Sequence, residues 1–262
     1  MTIAEKLTRA KSDYDEVYEG SKAKAFAEVE PINTELEQIL YGKDTGGRGF
    51  YDEFWDGFQN YGNRTDYRYA FYSSGFEYIR PKHKIVPSGQ ISGICAECKN
   101  LKAIEKEYFD LSNISTTAKS EYTFFYCNVL TEFPDLGVPA QASYAGWWQT
   151  CWALKTIEIV RVNENTNSFS AAFLNCYALE NVSFDGFIPK SLSFASSTKL
   201  SKASITNIIE HLSTTASGQT ATFSKTSVDT AFETSAGAGD GSTSAEWQSL
   251  ITPKSNWTIS LA

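Results

Sequence analysis

The chain has 262 residues, 23 Lys and Arg against 31 Asp and Glu, a formal charge of −8, and an aromatic content of 14%. Such a length can bury one substantial core with appendages, and an acidic chain with no basic stripe is not expected to bind nucleic acid, because phosphate contacts need clustered Lys and Arg. No apolar run of about 18 residues or more occurs, so no membrane insertion is expected.

Residues 1–42 read as N-terminal helices. Ile3, Leu7, Ala10, Tyr14 and Val17 follow the 4-3 spacing of a heptad seam, Pro31 should interrupt it, and Ile32, Leu36 and Ile39 resume on a second helix. Such helices either pack on their own domain or form a short coil for attachment and homo-oligomerisation. The opening MTIAEKLTRAK has no apolar h-region, so conventional export is not expected. The glycines of KDTGGRGF then mark a flexible linker at 43–50.

Residues 51–89 are dense in aromatics and are expected to form an N-terminal cap. Phe54, Trp55 and Phe58 lie at helical spacing, with Asp52, Glu53 and Asp56 largely on another face. Carboxylates beside a tryptophan can suggest a glycosidase. Asp52 and Asp56, at i and i+4, read instead as a solvated helix face.

From residue 90 to 205 a pattern recurs. FFYCNVLTEF surrounds Cys127, WWQTCWALKTIEI surrounds Cys151, FLNCYALENVSF surrounds Cys176, and CAECKNLKAI surrounds Cys98. A degenerate copy, FASSTKLSKASI, puts Ser197 in the cysteine slot. Anchors separated by twenty-odd residues predict a solenoid whose units bury a common core. Leu154, Ile157 and Ile159 should point inward, the last two by strand alternation.

The five cysteines are an odd number, and four of them occupy equivalent repeat positions rather than an irregular disulfide framework. A free cysteine behaves as a small hydrophobe. Cys98, Cys127, Cys151 and Cys176, with Ser197 as a near-isostere, are therefore read as a structural ladder. Cys95-Ala96-Glu97-Cys98 is a CxxC that could bind zinc or do redox chemistry. Zinc would need two more ligands, but there is no second CxxC, and His83 and His211 lie in unrelated segments, so no metal and no cofactor is expected.

Residues 206–262 are expected to close the last coil as a C-terminal cap of helices and strands. Ile205, Ile208, Ile209 and Leu212 mark an amphipathic helix, ATF at 221–223 reads as a strand, Thr243 to Glu246 is a possible capping box, and Trp257, Ile259 and Leu261 alternate. SAGAGDGSTS at 235–244 is a flexible loop without the lysine of a phosphate-binding loop.

The motif F/W-x-x-C-x-x-L-x-x-I/V/F, at 124–133, 148–157 and 173–182, resembles the BspA-type leucine-rich repeat, without that family's usual Ile-Pro and Ile-Gly elements. The resemblance implies an α/β leucine-rich-repeat-like solenoid with N-terminal helices and a helix-strand C-terminal cap. The flanks, YDEFWDGFQNYGNRTDY and the segment from TAFETSAG to the last residue, resemble proteins encoded in phages and prophages of gut Firmicutes, which implies a virion or tail-associated location.

No nucleophile motif or catalytic set is present, so an enzyme is not expected. If the cysteines point inward, Trp152 and Tyr177 point outward on adjacent coils, and Trp147, Tyr126 and Tyr144 could extend them into an aromatic ledge able to stack on sugars or anchor a protein. Those rings could equally lie under loops or in an oligomer contact. Glu105, Glu132 and Glu158 form a second, solvated outward line. The expected function is thus a tail-associated virion component, assembled in the host cytoplasm and acting extracellularly, with other virion proteins and a host-cell glycan or protein as partners. A bacterial BspA-like surface adhesin and an intracellular protein-binding module are the alternatives.

Overall fold

The computed structural model describes residues 67–80 and 84–262. The expected seam from Ile3 to Val17, the Pro31 break, the 43–50 linker and the carboxylates Asp52, Glu53 and Asp56 lie outside the described residues. Residues 67–79 and 85–262 belong to one compact unit.

What recurs from residue 67 to residue 176 is a tight turn with two left-handed corners. In the turn ending at Cys127, Tyr122 and Tyr126 have φ of 57° and 62°. The same two places, five residues and one residue before the cysteine, have positive φ at Gly93 and Glu97, Gly146 and Thr150, and Ala171 and Asn175. A left-handed corner costs a non-glycine residue roughly 1–2 kcal/mol, and hydrogen bonds offset it. Alternate amides close the turn on itself and reach the next turn: Trp147 N–H donates to Tyr144 O at 3.1 Å and Gln149 N–H to Gly146 O at 3.2 Å, while Trp148 N–H donates to Ala172 O at 3.1 Å and Thr150 N–H to Leu174 O at 2.7 Å. Every backbone donor of the corner is thereby used.

Each turn runs through a buried leucine into an extended segment. Leu130, Leu154 and Leu179 are fully buried, and their amides donate to the carbonyls of Cys127, Cys151 and Cys176. Strands β1 (Glu132–Phe133), β2 (Thr156–Arg161) and β3 (Asn181–Asp185) follow and pair in parallel in that order. Strand alternation placed both Ile157 and Ile159 inward. Instead the register shifts between Ile157 and Val160, so Ile157 and Val160 are buried and Ile159 is half-buried, as an extra residue in one strand requires.

A second parallel sheet follows. It consists of β4 (Leu192–Phe194), β5 (Gln219–Phe223) and β6 (Trp257–Leu261), in that order. Parallel neighbours need crossovers. Helix α1 (Lys202–His211) connects β4 to β5; helices α2 (Lys225–Ala231) and α3 (Ala245–Ile251) connect β5 to β6. Ser201 caps α1 by accepting from Ser204 N–H, and α1 buries Ile205, Ile208 and Ile209. The cap of α3 is Ser244, which accepts from Trp247 N–H, one residue beyond the expected Thr243.

The leucine-rich-repeat-like α/β solenoid expected from the repeat is therefore corrected. The described residues form two separate three-stranded parallel sheets and three short helices. Two local causes account for the difference. Between β2 and β3 the chain turns on polar side chains: Asn163 Oδ1 accepts from Asn165 N–H at 2.9 Å and Ser168 Oγ from Ser170 N–H at 3.2 Å. Such turns compete with helix. Beyond β3, side chains of α1 take the place of a strand: Val182 N–H donates to Ser204 Oγ at 2.9 Å and Phe184 N–H to Asn207 Oδ1 at 2.7 Å. The sheet ends there because its outer amides are satisfied by a helix.

A column of rings joins the two sheets through the core. Trp148 stacks on Phe173 at 5.5 Å, Phe173 on Phe194 at 4.3 Å, and Phe194 on Phe223 at 6.2 Å between centroids. The first three are the aromatics three residues before Cys151, Cys176 and Ser197. Each pair contributes about 0.5–1.5 kcal/mol beyond area burial.

Candidate functional site: an aromatic rim above a buried thiol ladder

The turns place the cysteines equivalently. Cys98 Sγ donates to Phe71 O at 3.0 Å, Cys127 Sγ to Cys95 O, Cys151 Sγ to Phe124 O and Cys176 Sγ to Trp148 O, each at 3.1 Å. Every acceptor lies in the preceding turn. All five cysteines are free and buried. Burial pushes the Cys151 thiol up to about 12 and raises Cys127 and Cys176 as well, so these sulfurs stay protonated and serve as donors rather than nucleophiles. Ser197 occupies the next rung fully buried, but its hydroxyl has no partner among the described residues. Its C–O bond is shorter than C–S and leaves the oxygen out of reach of a carbonyl.

One residue after the anchor, the side chain turns to solvent. Trp152 is 45% and Tyr177 50% exposed, and Tyr126, one residue before its own anchor, is half-buried beside Trp152. The Tyr126 and Trp152 rings meet edge to face at 5.7 Å, and Lys99 Nζ lies 5.1 Å above the Tyr126 ring. Tyr177 Oη donates to Asn175 Oδ1 at 2.9 Å, which holds the ring at the rim. Tyr126, Trp152 and Tyr177 thus share one edge of neighbouring turns.

Trp147 and Tyr144 do not join them. Both are buried. Tyr144 Oη donates to Arg161 O at 2.6 Å, and its ring stacks on Phe169 at 5.6 Å; burial pushes its phenol far above the usual value. Trp147 packs against Tyr144, Phe124 and Trp148. In a turn with left-handed corners, inward and outward do not alternate, so two consecutive tryptophans both go in.

The sequence reading missed one further turn and its rings. Phe71 and Ser74 repeat the spacing that identified Ser197, and Ser74 Oγ lies 3.2 Å from Cys98 Sγ. Tyr69 and Tyr72 of this turn are exposed, and Tyr72 Oη donates to Glu97 at 2.7 Å. Tyr69 and Tyr122 also lie over glycines of the next turn: a Cβ on Gly93 would come within 2.7 Å of the Tyr69 ring, and one on Gly146 within 2.3 Å of the Tyr122 ring.

The acidic line is not uniformly free. Glu158 accepts from Lys106 Nζ at 2.8 Å and from Asp135 N–H at 2.7 Å, while Glu132 is exposed. Glu105 is half-buried. Beside Glu158, Asp135 takes a two-pronged bond from Arg161 at 2.8 and 2.7 Å; the guanidinium holds the carboxyl at about 2.

Among the described residues no group of three His, Cys, Asp or Glu could hold a metal ion, and no helix is long and apolar enough to cross a membrane. Compared with known proteins, the chain matches no family model, no curated protein and no solved structure.

Proposed function

We propose that this protein is a tail-associated component of a phage particle that binds a host-cell surface through the aromatic rim of Tyr126, Trp152 and Tyr177. The observation that supports the reading is three rings at one edge of three neighbouring turns, two of them about half exposed, on turns tied to one another by backbone hydrogen bonds. Leaving such rings in water forgoes burial of their apolar area, which a ligand recovers. Exposed rings of this kind stack on sugar rings or anchor a protein surface. Attachment to other virion proteins falls to residues 1–42, and the particle assignment rests on the likeness of the flanking segments to phage and prophage proteins.

Two measurements test the parts separately. A glycan array, with host-cell binding alongside it, compares the wild type with Trp152→Ala; the reading predicts at least about a tenfold loss of binding for the variant, as truncating an interface anchor commonly gives. Equal binding by both proteins removes the rim. Mass spectrometry of purified particles tests the location, and finding the chain only in the soluble host fraction removes the particle assignment.

A further inference from the structure

Of the five cysteines, Cys95 alone lies outside the ladder. Cys95 stands where the other turns carry an aromatic, three residues before the anchor, and so brings a second thiol into the turn that ends at Cys98. Cys98 N–H donates to Cys95 O at 3.3 Å, and Glu97 takes the left-handed corner at φ 59°. The four residues form a β-turn, whose end Cα atoms lie within about 7 Å, a separation that a disulfide spans at about 4.4–6.8 Å. Cys98 Sγ lies 3.2 Å from Ser74 Oγ of the preceding turn. Cys98 Sγ donates to Phe71 O, as Cys127, Cys151 and Cys176 each donate to a carbonyl of the preceding turn.

We infer that Cys95 and Cys98 form an oxidisable dithiol, a modification site at which a peroxide closes an intramolecular disulfide within the turn. The roles of the two sulfurs follow from their surroundings. The Cys95 thiol and the Ser74 hydroxyl hold Cys98 below the ordinary thiol value, whereas burial raises Cys95. Cys98 is the attacking sulfur and Cys95 the resolving one. As a thiolate, Cys98 attacks one peroxide oxygen; the O–O bond breaks, and the departing oxygen takes a proton to leave as water. The sulfenic acid on Cys98 is then attacked by the Cys95 sulfur, the S–O bond breaks, and the hydroxyl leaves with the Cys95 proton as a second water. Two thiols lose two electrons, and one peroxide gains them. Both sulfurs are buried, so a small oxidant reaches them when the turn opens locally. Closure removes the S–H that ties Cys98 to Phe71 O and loosens the 67–74 turn.

The test exposes the full folded chain to hydrogen peroxide, unfolds it with an alkylating agent present, and maps the peptides by mass. The expected result is loss of two of the five alkylatable thiols, a mass lower by two hydrogens, a cross-linked peptide joining Cys95 to Cys98, and full reversal by a reductant. In Cys95→Ser, peroxide adds oxygen to Cys98 and forms no cross-link. The inference is overturned if all five thiols remain alkylatable, if the cross-link joins Cys98 to Cys127 or any other pair of rungs, or if Cys95→Ser loses the same two hydrogens.

Discussion

Replacing Ser197 by cysteine should stabilise the protein. At four successive rungs a buried thiol donates to a carbonyl of the preceding turn at 3.0–3.1 Å, whereas the Ser197 hydroxyl, equally buried, has no partner among the described residues. A buried, unsatisfied polar group costs about 1–3 kcal/mol. A thiol desolvates at less cost and regains a weak donor bond to the preceding turn, Phe173 O being the equivalent acceptor. The net gain expected for Ser197→Cys is about 1–2 kcal/mol, and for a unit of this size each kcal/mol moves the midpoint by about 2–4 °C. The measurement is thermal unfolding in reducing buffer, followed by tryptophan fluorescence. Cys151→Ser is the reverse experiment: it recreates the orphan at a filled rung and should cost about 1–3 kcal/mol. An unchanged or lower midpoint for Ser197→Cys would show that the ladder is sustained by packing alone and that the thiol bonds add nothing.

Three further outcomes are expected. Asp135 is depressed from 3.8 to about 2 by Arg161, so its contribution to stability is present in full above pH 4 and is lost as pH falls toward 2; urea midpoints measured across that window should fall less steeply for Asp135→Asn. Gly186 has φ +93°, and a Cβ there would sit 2.0 Å from Val162 O, a backbone atom that cannot yield, so Gly186→Ala should cost about 2–4 kcal/mol in denaturant unfolding. Trp152 is nearly half exposed, so Trp152→Ala should shift stability by less than about 1 kcal/mol while abolishing rim-dependent binding, and a large loss of stability would assign the ring to the core instead.

Side-chain size and spacing along the chain were legible directly. The aromatic, cysteine and leucine at intervals of three became the ring column, the thiol ladder and the buried Leu130, Leu154 and Leu179, and a serine of nearly the same volume marked another rung. The exposure of Trp152 and Tyr177 was legible too, as both follow an inward anchor. Trp147 and Tyr144, expected to extend the ledge, are buried instead, because inward and outward do not alternate through a turn with left-handed corners. The corners at Tyr126 and Thr150 are left-handed without glycine, so nothing in those residue types announces them; of the three, only Asn175 is of a type that readily adopts that conformation.

The sequence alone determined which side chains are apolar, where they recur and that the chain carries no dense positive charge. Only the tertiary structure decided where the sheet stops. Ser204 and Asn207 look like ordinary helix residues until their side chains are found bonded to the amides of Val182 and Phe184. A hydrogen bond between residues more than twenty apart leaves no local trace, because either partner could be satisfied by water until the fold brings them together.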